Sequence, residues 1–246
     1  MDILRFSLSG RTAFFKKPDL NTYYYFTFGN IHKIALLGIF GAILGFKGYS
    51  DLKNKVDDFP EFYRRLKDIQ YSLVPINEAG FVKKKIQQFN NSVGYASREQ
   101  GGNLIVKEQW LENPRWDIYV KLDKDITMSL ADSIINNRCH YVPYLGSNDH
   151  PADISNALIL KNCSITQAFN SIDSLFLKDK VEYGDIEDFE EENPDVELFK
   201  YEERLPIGLD EITHMYYYDI FVNTNHPVKK YDGEVYKVEG KHIVFY

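Results

Sequence analysis

An apolar run occupies Ile31–Phe46, IHKIALLGIFGAILGF, interrupted by His32, Lys33 and glycines at 38, 41 and 45. Sixteen residues fall short of a membrane span, and His32 and Lys33 stand in its first turn. The pattern predicts a buried helix from about Ile34 to Phe46, its small residues letting a sheet approach closely. Ahead of it, Ile3–Ser9 reads as a short strand and Tyr23–Phe28 (YYYFTF) as a β-prone run. Asp58-Phe59-Pro60 opens a second helix, with proline suited to the first turn and Phe62, Leu66 and Ile69 on one face. Gln70–Ile76 reads as extended. Leu104–Leu111 and Trp116–Leu122 are expected as two strands about an Asn113-Pro114 turn. In the second, Trp116, Ile118, Val120 and Leu122 share one face, and Asp117, Tyr119 and Lys121 the other. That alternation suits a strand half in water. The polar segment Asn90–Asn103 has the composition of a projecting loop.

Further along, Asp125–Asn137 is expected to be helical, and Tyr141–Leu145 and Ile154–Leu160 to be strands. Ile165–Phe176 has helical spacing, with a strand pair as the alternative. His214–Asn223, Gly233–Val238 and Lys241–Tyr246 read as strands, turned at Asp232-Gly233 and Glu239-Gly240. No internal repeat is visible.

Composition changes the picture in two places. Aromatics reach 15%, with 18 Tyr and 17 Phe, which favours strands or stacking surfaces. An AT-rich coding sequence is the bland alternative. The net charge of −7 hides an asymmetry. Residues 1–100 carry 15 Lys and Arg against 9 Asp and Glu, while 179–203 carry 12 acids against 2 bases. A basic face for an anionic ligand and a solvated acidic segment are expected. The two cysteines, Cys139 and Cys163, form no CxxC, so neither a zinc site nor a disulfide framework is implied. Asp2 and Arg5 flank too short an apolar run for a signal peptide, and the cytoplasm is the expected compartment.

No catalytic, metal or cofactor signature stands in the sequence: HExxH, GxSxG, a Walker loop and an EF-hand loop are all missing. The six histidines show no ligand spacing, and Asp149-His150 before a proline reads as a turn. What remains is the chemistry of a polyanion site. Arg11, Lys16 and Lys17 surround Phe14 and Phe15 in one loop, and Lys83, Lys84, Lys85 and Arg98 mark a second, projecting element. Cations meet phosphates, and aromatics stack on unpaired bases.

Three blocks also carry a resemblance. The first is Gly10-Arg11-Thr12-Ala13-Phe14-Phe15-Lys16-Lys17-Pro18 with Lys33–Gly38 (KIALLG) and Gly41–Gly45 (GAILG). The second is Glu108–Pro114 (EQWLENP) followed by Ile118-Tyr119-Val120, and the third is Tyr141–Gly146 (YVPYLG). In this order they resemble CRISPR-associated protein family 5, with the flavour of the type I-B branch. The resemblance implies an α+β, ferredoxin-like (RRM-related) RAMP fold with a projecting β-hairpin thumb and a small C-terminal β-lobe. The expected layout is a main domain over 1–178 with the thumb at about 81–115, an acidic loop at 179–203 and C-terminal strands over 204–246. It implies a subunit that binds the 5′ handle of the guide RNA in a type I Cascade complex. Its partners would be the backbone subunit, the large subunit and, through the complex, target DNA, with no membrane and no cofactor. The RNA contacts expected are Arg11, Phe14, Lys16, Lys17, Lys33, Lys83, Lys84, Lys85, Tyr95, Arg98, Tyr144 and Gly146. One branch of the family cuts precursor RNA without metal, which needs a His, Lys or Tyr set in register. Lys241-His242 is the only Lys-His dipeptide in that order and lies elsewhere, so a non-catalytic subunit is expected. A metal-free ribonuclease and an unrelated globular protein with an incidental basic loop are the alternatives.

Overall fold

A computed structural model describes residues 1–19, 23–49, 59–77, 81–92, 94–95 and 98–246. The first part of the chain runs β1 (Ile3–Ser9), β2 (Thr12–Ala13), α1 (Lys33–Leu44), α2 (Glu61–Leu66), β3 (Tyr71–Pro75), β4 (Lys84–Asn90), β5 (Ile105–Glu112), β6 (Arg115–Lys121), α3 (Asp125–Ile135) and β7 (Asp153–Leu160). Its central sheet has the order β3-β6-β1-β7, each neighbour antiparallel. The sheet strands and the two longer helices therefore follow one another as β-α-β-β-α-β. The alternation of β1 explains its central place. Leu4, Phe6 and Leu8 lie opposite Val120, Ile118 and Trp116 on one face, and α1 and α3 cover that face through Leu36, Leu37, Phe40, Leu130 and Ile134. Each such side chain removed from water contributes about 1.5–3 kcal/mol.

α1 is apolar nearly all round because α2, α3 and a C-terminal strand surround it. Gly45 ends it in the left-handed conformation at φ 79°. Contrary to expectation its glycines do not admit a sheet but serve separate ends. A Cβ on Gly41 would lie 2.6 Å from Cβ of Phe62, so this glycine lets α2 approach.

The second part runs β8 (Ser164–Ile165), β9 (Phe176–Leu177), β10 (Val181–Tyr183), α4 (Ile186–Glu192), β11 (Lys200–Leu209), β12 (Tyr216–Thr224), β13 (Val228–Tyr231), β14 (Val235–Val238) and β15 (Lys241–Val244). The small sheet β15-β14-β8 lies on the other face of the central sheet, where Tyr236, Val238 and Ile243 pack on Ile3, Val74 and Tyr119. β6 is thus buried on both faces rather than half in water. Its charges are matched instead of solvated. Asp117 accepts from Ser7 Oγ at 2.8 Å, Arg5 at 3.1 Å and Lys241 at 3.2 Å. Burial pushes the Asp117 carboxyl up, but the hydrogen bonds from Ser7, Arg5 and Lys241 outweigh it and hold it below the usual range.

Several expectations need correction. Residues 104–111 and 116–122 do not pair as one hairpin: β5 pairs with β4, and β6 belongs to the central sheet. Tyr23–Phe28 forms only isolated bridges at Tyr25 and Thr27, and Tyr141–Leu145 only one, Tyr144 to Pro151. Ile165–Phe176 holds no helix, only the ends of β8 and β9. The segment expected as an acidic loop contains β10, α4 and the start of β11. Asp185 caps α4 by accepting from the Glu187 and Asp188 amides. α2 begins at Glu61 after Pro60, and Asp58 lies outside the described residues.

Candidate nucleic-acid interface

Three segments far apart in sequence meet beside α1. β2 pairs with the end of β5, Thr12 opposite Glu112 and Ala13 opposite Leu111. Further along β5, the Tyr25 amide donates to Lys107 O and the Gln109 amide to Tyr25 O, both at 2.9 Å. The turn after Tyr144 closes the junction. Phe14 N donates to Leu145 O at 3.0 Å, and Leu145 N to His150 O at 2.7 Å. Gly146 is at φ 96°, and a Cβ there would fall 1.9 Å from the Phe14 carbonyl oxygen, so only glycine fits. His150 pins all three segments. Its Nδ1 lies 2.6 Å from Thr12 Oγ1, its ring stands edge-on to Trp110 at 4.6 Å, and it is buried. Burial lowers its pKa. The sequence showed His150 only as part of a turn, because its partners lie about 40 and 138 residues away.

The junction borders a cleft of about 440 Å³. Ala35, Gly38 and Ala42 of α1 form its floor, Phe14, Tyr144 and Tyr216 its walls, and His32, Lys16 and Gly146 reach it too. A Cβ on Gly38 would meet nothing within 4 Å. His32 caps α1 by accepting from Ala35 N, and burial pushes its pKa down to about 3, so the ring is neutral.

Cations and aromatic rings interleave outside the cleft. Lys16 Nζ sits 3.7 Å from the Tyr25 ring centre, Lys17 5.2 Å from that of Phe28, and Lys107 5.3 Å from that of Tyr24. Tyr23 and Phe26 are exposed beside them. Lys84 lies on the same face of the β4–β5 hairpin as Lys107. Burial lowers its pKa; Glu203 pulls it up and nearby Lys17 pushes it down. Glu203 holds the returning loop from below, taking both the Gly29 and Asn30 amides at 2.7–3.2 Å.

The expected contacts divide. Lys16, Tyr144 and Gly146 come together at the cleft, with Lys17 and Lys84 close by. Arg11 is exposed in the loop, its carbonyl accepting from Asn113 N. Phe14 is buried where the loop meets the Leu145–Gly146 turn, and it reaches solvent only as part of the cleft lining. Lys33 departs from expectation. It is half-buried, its pKa is lowered by burial, and it faces Asp68 and Lys124 rather than lining the cleft. Lys85 alternates to the other hairpin face and pairs with Glu112 at 3.2 Å. Lys83 is exposed at the hairpin base, and Tyr95 and Arg98 are exposed near its far end. Val93, Ala96 and Ser97 of that end lie outside the described residues. Lys107, Tyr24 and Tyr25 are not among the contacts expected from the sequence: Lys107 is a single cation in an otherwise apolar strand, and the two tyrosines belong to a run that reads only as β-prone.

Strand alternation separates the two residues of the Lys-His pair. Lys241 reaches Asp117, whereas His242 packs against Phe169, its amide donating to Asp173. Among the described residues no group of three or more His, Cys, Asp or Glu side chains could hold a metal ion, and no helix is long and apolar enough to cross a membrane.

No protein-family model and no curated protein matches the sequence. Solved structures do. A chain of a "CRISPR RNA-guided surveillance complex" aligns with TM-score 0.54 and 10% identity over 92% of this chain and 90% of that one. A CRISPR protein from Archaeoglobus fulgidus aligns with TM-score 0.50 and 11% identity over 99% and 98%. The chain shares the fold of these two CRISPR proteins. At this identity the likeness reports the fold, over nearly the whole length of each chain.

Proposed function

We propose that the protein is a non-catalytic subunit of a type I CRISPR interference complex, a family 5 protein of type I-B flavour, which grips the 5′ handle of the guide RNA. The observation that carries this reading is the convergence of the 10–18 loop, the Trp110 strand and the Tyr144–His150 turn on one cleft with a cation–aromatic rim. Such a rim suits single-stranded RNA, whose phosphates take the lysines and whose unstacked bases take the rings.

The order β3-β6-β1-β7 supports the ferredoxin-like assignment, since it is the order of a β-α-β-β-α-β sheet with its first and third strands central. The β4–β5 hairpin, inserted between two neighbouring strands of that sheet, is the thumb of this reading, and its exposed end is available to the backbone subunit. The tie of Lys241 to Asp117 and the turning of His242 to the opposite face favour a structural subunit over a ribonuclease.

The test is binding and cleavage in one set of samples. The purified protein should prefer single-stranded RNA bearing the repeat-derived 5′ end over random duplex DNA at moderate salt, and should leave repeat RNA intact in chelator. Equal binding to duplex DNA refutes the handle reading, and site-specific cutting refutes the non-catalytic one.

A further inference from the structure

Gly38 sits in the interior of α1, where glycine is the least favourable residue after proline. Packing does not demand it, because a side chain there would point into open space. With Ala35 and Ala42 it keeps the cleft floor bare. A second observation concerns His32, which lines the same cleft and is 5% exposed. Its Nδ1 accepts from the Ala35 amide, so the neutral ring carries its proton on Nε2. Among the described residues that N–H has no hydrogen-bond partner. That nitrogen is not one of the fully buried unpaired atoms, so in the cleft it is open to an incoming acceptor.

We propose, resting on the RNA-binding reading above, that this cleft receives one splayed nucleobase of the bound single strand, held between the Tyr144 and Tyr216 rings over the bare floor at Gly38, with the His32 N–H donating to its edge. The size and the lining suit such an occupant: a few hundred cubic ångströms, aromatic walls and a few convergent polar groups. A base has a flat π face for the tyrosines and acceptor atoms for the imidazole. An aliphatic side chain from a protein partner would leave the imidazole N–H unpaired. Lys16 stands at the cleft edge, where the phosphates flanking a splayed base would pass.

The experiment uses the full chain, a short single-stranded RNA of the repeat 5′ end, and copies of that RNA each carrying one abasic nucleotide. Gly38→Leu fills the cleft and Gly38→Ala barely enters it; both should unfold at or above the wild-type temperature, since leucine and alanine favour helix. In the wild type, one abasic position should weaken binding about tenfold or more, the range for loss of one base–aromatic stack. Gly38→Leu should weaken binding of the intact RNA by a similar factor and become indifferent to that abasic position, while Gly38→Ala should behave nearly as wild type. If Gly38→Leu binds with wild-type affinity and undiminished abasic sensitivity, the cleft does not hold a base. If it leaves RNA binding untouched but blocks association with another subunit, the occupant is protein and the proposal falls. If the wild type binds no single-stranded RNA at all, the functional reading itself fails, which is a different result from either of these.

Discussion

His32 makes the stability of the fold depend on pH in a way that can be isolated. Its imidazole is buried between Phe15, Phe28 and Tyr216, and burial takes its pKa from 6.5 to about 3. The native state therefore binds fewer protons than the unfolded chain below pH 6.5. The stabilisation is complete above that pH and is lost as the pH falls toward 3. Between pH 7.5 and 5.0 the unfolded chain takes up almost a full proton that the native state refuses. At 1.36 kcal/mol per unit this amounts to about 2 kcal/mol. Other groups, His150 among them, add their own dependence, so the comparison is with His32→Asn. Asparagine is a good helix N-cap, keeps an acceptor for the Ala35 amide and does not titrate. Its loss of ring packing is a constant offset. Urea unfolding followed by Trp110 and Trp116 fluorescence gives the stability of both proteins at both pH values. Wild type should lose about 2 kcal/mol more than the variant between pH 7.5 and 5.0. A gap between the two proteins that does not change with pH refutes a buried, neutral His32.

Three further outcomes follow from particular contacts. Asp117→Ala removes the carboxylate shared by Arg5 and Lys241 and should cost about 3–5 kcal/mol in urea unfolding, the loss expected when one member of a buried pair is deleted. A cost under about 1 kcal/mol would mean that the cluster is solvated. Lys84→Ala and Lys107→Ala should each lower the log–log salt slope of single-stranded RNA binding by roughly 0.7, while Lys85→Ala, whose lysine is taken by Glu112, should leave it unchanged. Equal effects from all three would mean that the hairpin face is not selective. Gly146→Ala should lower the unfolding temperature by several degrees, because its φ is unfavourable to a side chain and its Cβ would collide with Phe14 O; a neutral result in a thermal melt would remove the argument for that close approach.

The sequence reveals the elements with a clear apolar pattern: β1, α1, α2, β3, α3 and β7 around the main core, and β12, β14 and β15 beyond it. The failures have physical causes. β6 carries Asp117 and Lys121 on one face, and charge there ordinarily means water; here Arg5 of β1, Lys241 of β15 and Glu234 just before β14 supply partners. β4 reads KKIQQFN because the hairpin stands away from the core, so from the pattern alone the next apolar strand looks like the partner of β5. Glu203 is indistinguishable from its acidic neighbours until the loop that it holds is seen. Of the interface, the conspicuous cations of the 10–18 loop were legible. The coming together of that loop with Gly146 followed from no spacing, and the parts played by His150 and Lys107 emerge only when the chain has folded.

The central position of β1 also sets the order in which this chain can fold. Ile3 lies opposite Lys121 on one side and Leu160 on the other, so β1 is completed only by β6 and β7, more than a hundred residues later. At a synthesis rate of about 5–20 residues per second, an apolar strand waits roughly 8–30 s between its own appearance and that of its last partner. Throughout that interval Leu4, Phe6 and Leu8 must be sheltered by α1 or by a chaperone. Refolding of the complete chain has to close the same long loops, and should be slower than for a helical bundle of equal stability.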